Sequence, residues 1–161
     1  MLFRGDLPCE VLFVGEAPGE SEDVMGEPFV GPAGDLFNRI LLEVMENISK
    51  PFTYGITNIV GCWPVEATDT SYGHTREPSK QEAIKCRPRL LELIKLAKPR
   101  IILALGNTAR QQLPRPLEGK IREASLLHPA AILRRDSTAS ANLDFKRMIR
   151  SIEVYTQFLR D

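Results

Sequence analysis

The chain has 161 residues, 43% of them hydrophobic and 26% charged, the make-up of a globular protein and too apolar for a disordered one. Its 21 Lys+Arg balance 21 Asp+Glu, which excludes a basic coat over the whole surface but not a local basic face. One domain, residues 1–161, is the expectation at this length.

Glu10-Val11-Leu12-Phe13-Val14 is a short apolar run stopped by Gly15, and predicts a buried strand. Residues 15–34 follow, rich in Gly and Pro with little periodicity; an unstructured stretch that long inside a compact domain points to function. From Asp35 the pattern is helical, with Leu36, Phe37, Ile40, Leu41 and Val44 on one face. Residues 52–60 predict a second strand, and residues 61–78 a polar loop in which His74 reads as solvated.

Ser79 and Glu82 have capping-box spacing and open a helix to about Ala97, with Ala83, Leu90, Leu91 and Ile94 turned inward. Pro99 stops it. Residues 100–105 predict a third buried strand ended by Gly106, Asn107 caps a short helix, and residues 124–127 predict a weaker fourth strand. The last helix carries Phe145, Met148, Ile149, Ile152, Tyr155 and Phe158 at helical spacing. Alternating strands and helices with continuous apolar strands predict a three-layer α/β/α sandwich around a central, mainly parallel four-stranded sheet.

No apolar run approaches the about 20 residues of a membrane span, and Met1-Leu2-Phe3-Arg4-Gly5-Asp6 lacks the apolar stretch of a signal peptide. Three cysteines, Cys9, Cys62 and Cys86, do not make a secreted disulfide framework. A cytoplasmic protein with no membrane partner is expected.

In parallel sheets ligands sit beyond the carboxyl ends of the strands. Those ends carry Gly15-Glu16-Ala17-Pro18-Gly19, then Asn58, then Gly106-Asn107, then His128-Pro129, which predicts one pocket assembled from four loops. Gly15, Gly19, Gly31 and Gly34 suit close approach of backbone to a ligand, or simply tight turns. Glu16, Glu20, Glu22 and Asp23 read first as solvated loop charge; a carboxylate held at a pocket could instead position water or stabilise a developing cation. Phe29 alone reads as a core plug before it reads as a stacking platform. Asn58 offers the donors and acceptor needed to read a base edge, or a local turn bond. His128 at a strand end is placed to hydrogen-bond an anionic leaving group or a phosphate, with a core histidine as the plain alternative. No Ser–His–Asp order, P-loop lysine, zinc spacing or G-x-G-x-x-G pattern is present.

Taken together, these residues are recognisable. Val14-Gly15-Glu16-Ala17-Pro18-Gly19-Glu20, Glu22-Asp23 and Gly26-Glu27-Pro28-Phe29-Val30-Gly31-Pro32-Ala33-Gly34 resemble the signature of family 4 uracil-DNA glycosylases. Ile56-Thr57-Asn58-Ile59-Val60-Gly61-Cys62, residues 99–106 with Thr108-Ala109, and His128-Pro129-Ala130-Ala131-Ile132-Leu133-Arg134 agree in order.

The resemblance implies a flipped-out uracil in the four-loop pocket, in single- or double-stranded DNA, excised by a monomer to leave an abasic site. It implies that Phe29 stacks on the base, Asn58 bonds its polar edge and Glu22 lies near C5, where thymine's methyl must be refused. It further implies that His128 stabilises the uracil anion while Glu16, Ala17 and Gly19 line the reaction centre. Ala17 stands where family 1 enzymes place a water-positioning aspartate. Pro129, Leu133, Arg134 and Arg135 resemble the loop that wedges into DNA, although a solvated charged turn would look similar for the arginines. Cleaving an N-glycosidic bond builds positive charge on the sugar and negative charge on the base, which a dry pocket with a fixed donor and nearby carboxylates favours. Extruding the base costs a few kcal/mol, least from single strands or mispairs.

The family holds an iron–sulfur cluster through four cysteines. Cys62 and Cys86 match the latter pair in context, but the N-terminal C-x-x-C pair is missing and Cys9 is out of register, so no cofactor is expected. Residues 113–127 look short for the family. Such trimming would suit a minimal, virus-encoded version, and the expected setting is the cytoplasm of a bacterial, archaeal or phage-infected cell. The alternatives are a catalytically weak or inactive DNA-binding relative, a glycosylase for another damaged or modified base, and a binder of free nucleotide.

Overall fold

The computed structural model describes residues 2–66 and 74–161; the side chain of His74, expected to be solvated, lies outside them. In chain order come β1 (Phe3–Gly5), β2 (Val11–Gly15), α1 (Glu20–Met25), α2 (Pro32–Asn47), β3 (Tyr54–Asn58), β4 (Val65–Glu66) and β5 (His74–Thr75). They are followed by α3 (Lys80–Ala97), β6 (Ile101–Leu105), α4 (Asn107–Gln112), β7 (Arg122–Leu126), α5 (Pro129–Leu133), α6 (Thr138–Thr156) and a 3-10 turn at Gln157–Leu159.

The central sheet has five strands in the order β1-β3-β2-β6-β7. The four expected strands run parallel, and β1 adds an antiparallel edge along β3 that the sequence reading missed. Phe3-Arg4-Gly5 has no apolar run to announce a strand; it pairs because β3 offers an open edge.

Side chains alternate across the sheet with period two. Val11, Phe13, Ile101, Leu103 and Leu105 pack with α2, α5 and α6 on one face. Leu12, Val14, Ile102 and Ala104 pack with α3 and α4 on the other. Two cores on two faces give the expected three layers, and each fully buried Leu, Ile or Phe contributes about 1.5–3 kcal/mol.

Several local expectations need correction. Residues 15–34 are not unstructured: α1 lies among them, ended by Gly26 at φ 74°. It buries no residue, so no apolar stripe betrays it. The next helix begins at Pro32 rather than Asp35, because proline at N1 gives up no needed donor. The second strand is confined to Tyr54–Asn58, and the polar loop contains the β4–β5 pair.

Ser79 caps α3 as expected, with Glu82 closing the capping box. Leu93, not Leu91, faces the core, since Leu90, Leu93, Ile94 and Ala97 share one helical face. The third strand begins at Ile101 and the fourth spans Arg122–Leu126, leaving Leu127 exposed. Gly106, at φ 89°, takes the cap position expected of Asn107. Tyr155 is exposed, and Phe158 sits in the 3-10 turn beyond α6.

Candidate active site

Strand register makes the site. Gly15 is opposite Asn58 and Leu105 opposite Leu126, so the four parallel strands end level and release their loops at one edge. Those loops enclose a cleft of about 720 Å³. Glu16, Ala17, Gly19, Glu22, Phe29, Asn58, His128 and Arg134 all line it. The single pocket from four loops is therefore present.

Asn58 ends β3 almost fully buried, at 1% exposure, and its side-chain Oδ1 has no hydrogen-bond partner. A buried acceptor left empty costs about 1–3 kcal/mol unless something donates to it. Asn58 lines the cleft, where its amide can meet the polar edge of a ligand. Gly15 lies beneath: a Cβ there would stand 2.5 Å from Asn58 Oδ1 and 2.6 Å from the Phe29 ring. Any side chain would fill the floor of the cleft.

His128 closes β7 and is the N-cap of α5, where its Nδ1 accepts from the Ala130 N–H at 3.0 Å. An accepting Nδ1 carries no proton, so in the neutral ring the proton is on Nε2. Burial, and secondarily the charge of Arg134, pushes its pKa down to about 4. The imidazole is thus neutral near pH 7 and presents Nε2–H as a donor.

Phe29 has one face in the core and the other on the cleft. Its ring is tilted 31° to His128 at a centroid distance of 5.9 Å and packs on Phe37 at 5.6 Å. Core plug and pocket wall are one residue here. Its backbone is left-handed, with φ 58°, a conformation that costs about 1–2 kcal/mol. Arg4 of β1 holds it, donating from Nε to Pro28 O at 3.1 Å and from Nη2 to Phe29 O at 3.3 Å and Asn38 Oδ1 at 2.9 Å. Gly34 makes room, since a Cβ there would lie 1.9 Å from Phe29 O.

The carboxylates differ in kind. Glu22 accepts from Gly19 N–H through Oε2 and from Gly31 N–H through Oε1, each at 3.1 Å, so it ties the two ends of the loop together. Glu16 is half-buried. Burial raises its pKa, a hydrogen bond from Thr108 opposes the rise, Glu77 adds to it and Arg134 relieves it. Thr108, Arg76 and Glu77 also line the cleft; Thr108 lies in one of the blocks that carry the resemblance, whereas Arg76 and Glu77 carried no signal beyond ordinary loop polarity.

The expected DNA-facing residues divide. Pro129 is buried at the first position of α5 and does not line the cleft. Leu133 is 51% exposed at the end of that helix, and Arg134 borders the cleft. Arg135 is ion-paired with Asp144 of α6.

Behind Asn58 stands a cation that the sequence reading left unnoticed. Arg89 of α3 donates to Thr57 Oγ1 at 3.2 Å, to Asn58 O, and to Ile59 O at 3.4 Å. Burial lowers its pKa, and the nearby Cys86 and Cys62 thiols act the other way. Both thiols therefore lie near the same guanidinium. Cys9 is buried before the amino end of β2, where burial pushes its thiol up to about 11. Cys62 lies past the carboxyl end of β3, so a strand's length, about 15 Å, separates them. The cysteines present therefore do not fit an iron–sulfur cluster. Among the described residues no group of three or more His, Cys, Asp or Glu could hold a metal ion.

A second concavity, about 660 Å³, opens at the opposite edge of the sheet and is ringed by Lys95, Lys98, Arg100, Lys120 and Arg122 around Phe158. It is the local basic face that zero net charge permits, and it contains none of the strand-end residues. Among the described residues no helix is long and apolar enough to cross a membrane.

Comparison with known proteins agrees with this geometry. Residues 3–152 match the family model of the uracil DNA glycosylase superfamily. A type-4 uracil-DNA glycosylase of Archaeoglobus fulgidus is 31% identical over 89% of this chain and 77% of its own length. Those of Saccharolobus solfataricus and Thermotoga maritima are 36% and 40% identical over 73% and 66% of this chain. The chain spans 50% of the length of each of those two relatives. A solution NMR structure of a Methanosarcina acetivorans protein, described as a candidate uracil DNA glycosylase, superposes with a TM-score of 0.52 at 16% identity. It covers 94% of this chain and 99% of that one, and it supports the fold. With a family model spanning nearly its whole length and type-4 relatives at this identity, the chain belongs to the uracil DNA glycosylase superfamily and, within it, to the type-4 group.

Proposed function

We propose that the protein takes an extruded uracil into the strand-end cleft and hydrolyses its N-glycosidic bond, leaving an abasic site in DNA. One observation carries the reading: Asn58, whose buried Oδ1 has no partner, and His128, whose neutral ring carries its proton on Nε2, line the same cleft. Uracil offers the complement, an N3–H donor beside O2 and O4 acceptors. Cytosine does not, because its N3 carries no proton and its N4 donates where uracil accepts.

Phe29 gives the flat wall on which the ring stacks. Glu22 pins Gly19 and Gly31, so the loop facing C5 is held firmly enough to refuse a methyl group. When the N1–C1′ bond breaks, its electron pair stays on the base and spreads to O2 and O4. A water molecule adds to C1′ and releases a proton to solvent, and the uracil anion takes one up from solvent to leave as neutral uracil. The neutral imidazole donates a hydrogen bond to the developing uracil anion, and Glu16 faces the cationic sugar carbon. Leu133 and Arg134 at the lip meet the DNA strand. One chain supplies every wall, which supports a monomer acting alone, and the dispersed cysteines support chemistry without a metal cluster; stoichiometric iron in purified, active protein would contradict the latter.

The test uses oligonucleotides carrying a single uracil, thymine or cytosine, single-stranded and as U·G, followed by alkali. Cleavage at uracil alone is expected, with His128→Ala slower by about 10²–10³-fold, the usual cost of one anion-stabilising donor. Intact uracil strands with the wild-type protein would overturn the reading, and a uracil-dependent gel shift would then point to a binding protein.

A further inference from the structure

We infer that Arg89 is a positioning residue for Asn58: from helix α3 it fixes the end of β3 at the angle that turns the Asn58 amide into the cleft. The inference rests on the reading of that cleft as a uracil site.

The guanidinium reaches three consecutive residues. It donates to Thr57 Oγ1 at 3.2 Å, to Asn58 O, and to Ile59 O at 3.4 Å. Thr57 Oγ1 passes the restraint on by donating to Leu2 O at 2.8 Å. From the other side, Ile59 N–H donates to Gly15 O at 2.9 Å and Val60 N–H to Glu16 O at 3.1 Å. The peptide groups that follow Asn58 are therefore gripped twice, by their carbonyls from α3 and by their N–H groups from β2. At 1% exposure, with its Oδ1 standing where a Gly15 Cβ would be, the Asn58 amide has little room to turn. Its direction is set by its backbone, and Arg89 holds that backbone.

A packing role explains less. Among the described residues Arg89 has no carboxylate within ion-pairing distance, and its Nε is buried with no partner. An unpaired, part-buried cation is costly, and an apolar side chain of similar length would fill the space against Gly61 without that cost. What the apolar chain lacks is a planar fork that spans neighbouring oxygens. A lysine lacks it too, since its three donors radiate from one atom.

The test is a double-mutant cycle on the uracil oligonucleotide, with kcat and KM measured for wild type, Asn58→Ala, Arg89→Met and the pair. Arg89→Met is expected to lose about 10- to 100-fold, mainly in kcat, as a small misplacement of a reacting-site group does, and Arg89→Lys is expected to recover little of it. On the Asn58→Ala background Arg89→Met should cost almost nothing more, because there is no amide left to aim. Losses that multiply would overturn the inference, and so would full activity in Arg89→Met. If Arg89→Met does not fold, Arg89→Lys takes its place in the cycle. An NMR arm reads geometry without catalysis: the Asn58 side-chain N–H resonances should move in the Arg89 variant while core resonances stay, and unmoved resonances would overturn the inference. A wild type that releases no uracil defeats the proposed function; a wild type that does, with multiplying losses, defeats only this inference.

Discussion

The two walls of the cleft are made in different ways. Asn58 and His128 stand at the ends of β3 and β7, levelled by a parallel ladder in which Gly15 pairs with Asn58 and Leu105 with Leu126. Phe29 stands in the loop between α1 and α2 at a left-handed φ of 58°, held by Arg4 from a distant edge strand and by the absence of a side chain at Gly34. The first wall inherits its place from regular structure, and many core exchanges would leave it alone. The second depends on a few long-range contacts, and one added methyl group can displace it.

Breaking the first wall at His128 should have the largest effect on activity, the loss of about 10²–10³-fold given above for His128→Ala. Its hidden effect is on stability. The folded pKa of about 4 lies below the ordinary 6.5, so between those values the unfolded chain binds the extra proton. The group's contribution is complete above about pH 6.5 and is lost as pH falls towards 4, about 3 kcal/mol in all. Urea unfolding of wild type and His128→Gln at pH 7 and 4.5 should show the wild type losing more stability than the variant. Parallel losses would mean the ring is protonated in the fold.

The second wall should break by a smaller amount, and for geometric reasons. Gly34→Ala must push Phe29 O away from a Cβ 1.9 Å distant, and Arg4→Met takes the donor from three carbonyl oxygens, those of Pro28, Phe29 and the Asn38 side chain, at about 1–3 kcal/mol for each that is left unpaired and buried. Both should slow uracil release by about tenfold or more while leaving the pH dependence of the His128 wall intact. Calorimetry with single-turnover kinetics separates the two readouts; an unchanged rate in both variants would show that Phe29 does not support the base. The smallest effect is at the lip. Arg134→Ala should lower the salt dependence of DNA binding by about one phosphate contact. Arg135→Ala should change it less, because Asp144 already holds that charge.

The same contrast explains what could be read in the sequence. The apolar runs that form β2 and β6, the Ser79–Glu82 capping box and the polar residues at four strand ends are local patterns, and they put Asn58 and His128 at the cleft. The edge strand β1 is not local: Phe3-Arg4-Gly5 carries no apolar run, and its pairing partner is some fifty residues away in sequence. Arg4 and Arg89 look like any other arginine until their partners fold around them. Glu22 read as a loop charge or as a contact to C5, and the structure shows both its oxygens spent on backbone N–H groups. Leu91 and Leu93 differ only in helical phase, which a pattern broken by Pro88 inside α3 left ambiguous. What sequence reasoning missed is mainly what long-range side-chain contacts supply.

The most direct measurement is an NMR titration of the ¹⁵N-labelled protein with free uracil and, separately, free cytosine. Uracil is expected to shift the Gly15 and Phe29 amides, the Asn58 side-chain N–H groups and the His128 Nε2–H together, and cytosine to leave them in place. Equal shifts with both bases, or shifts confined to the basic concavity around Phe158, would contradict the reading of the cleft as a uracil site.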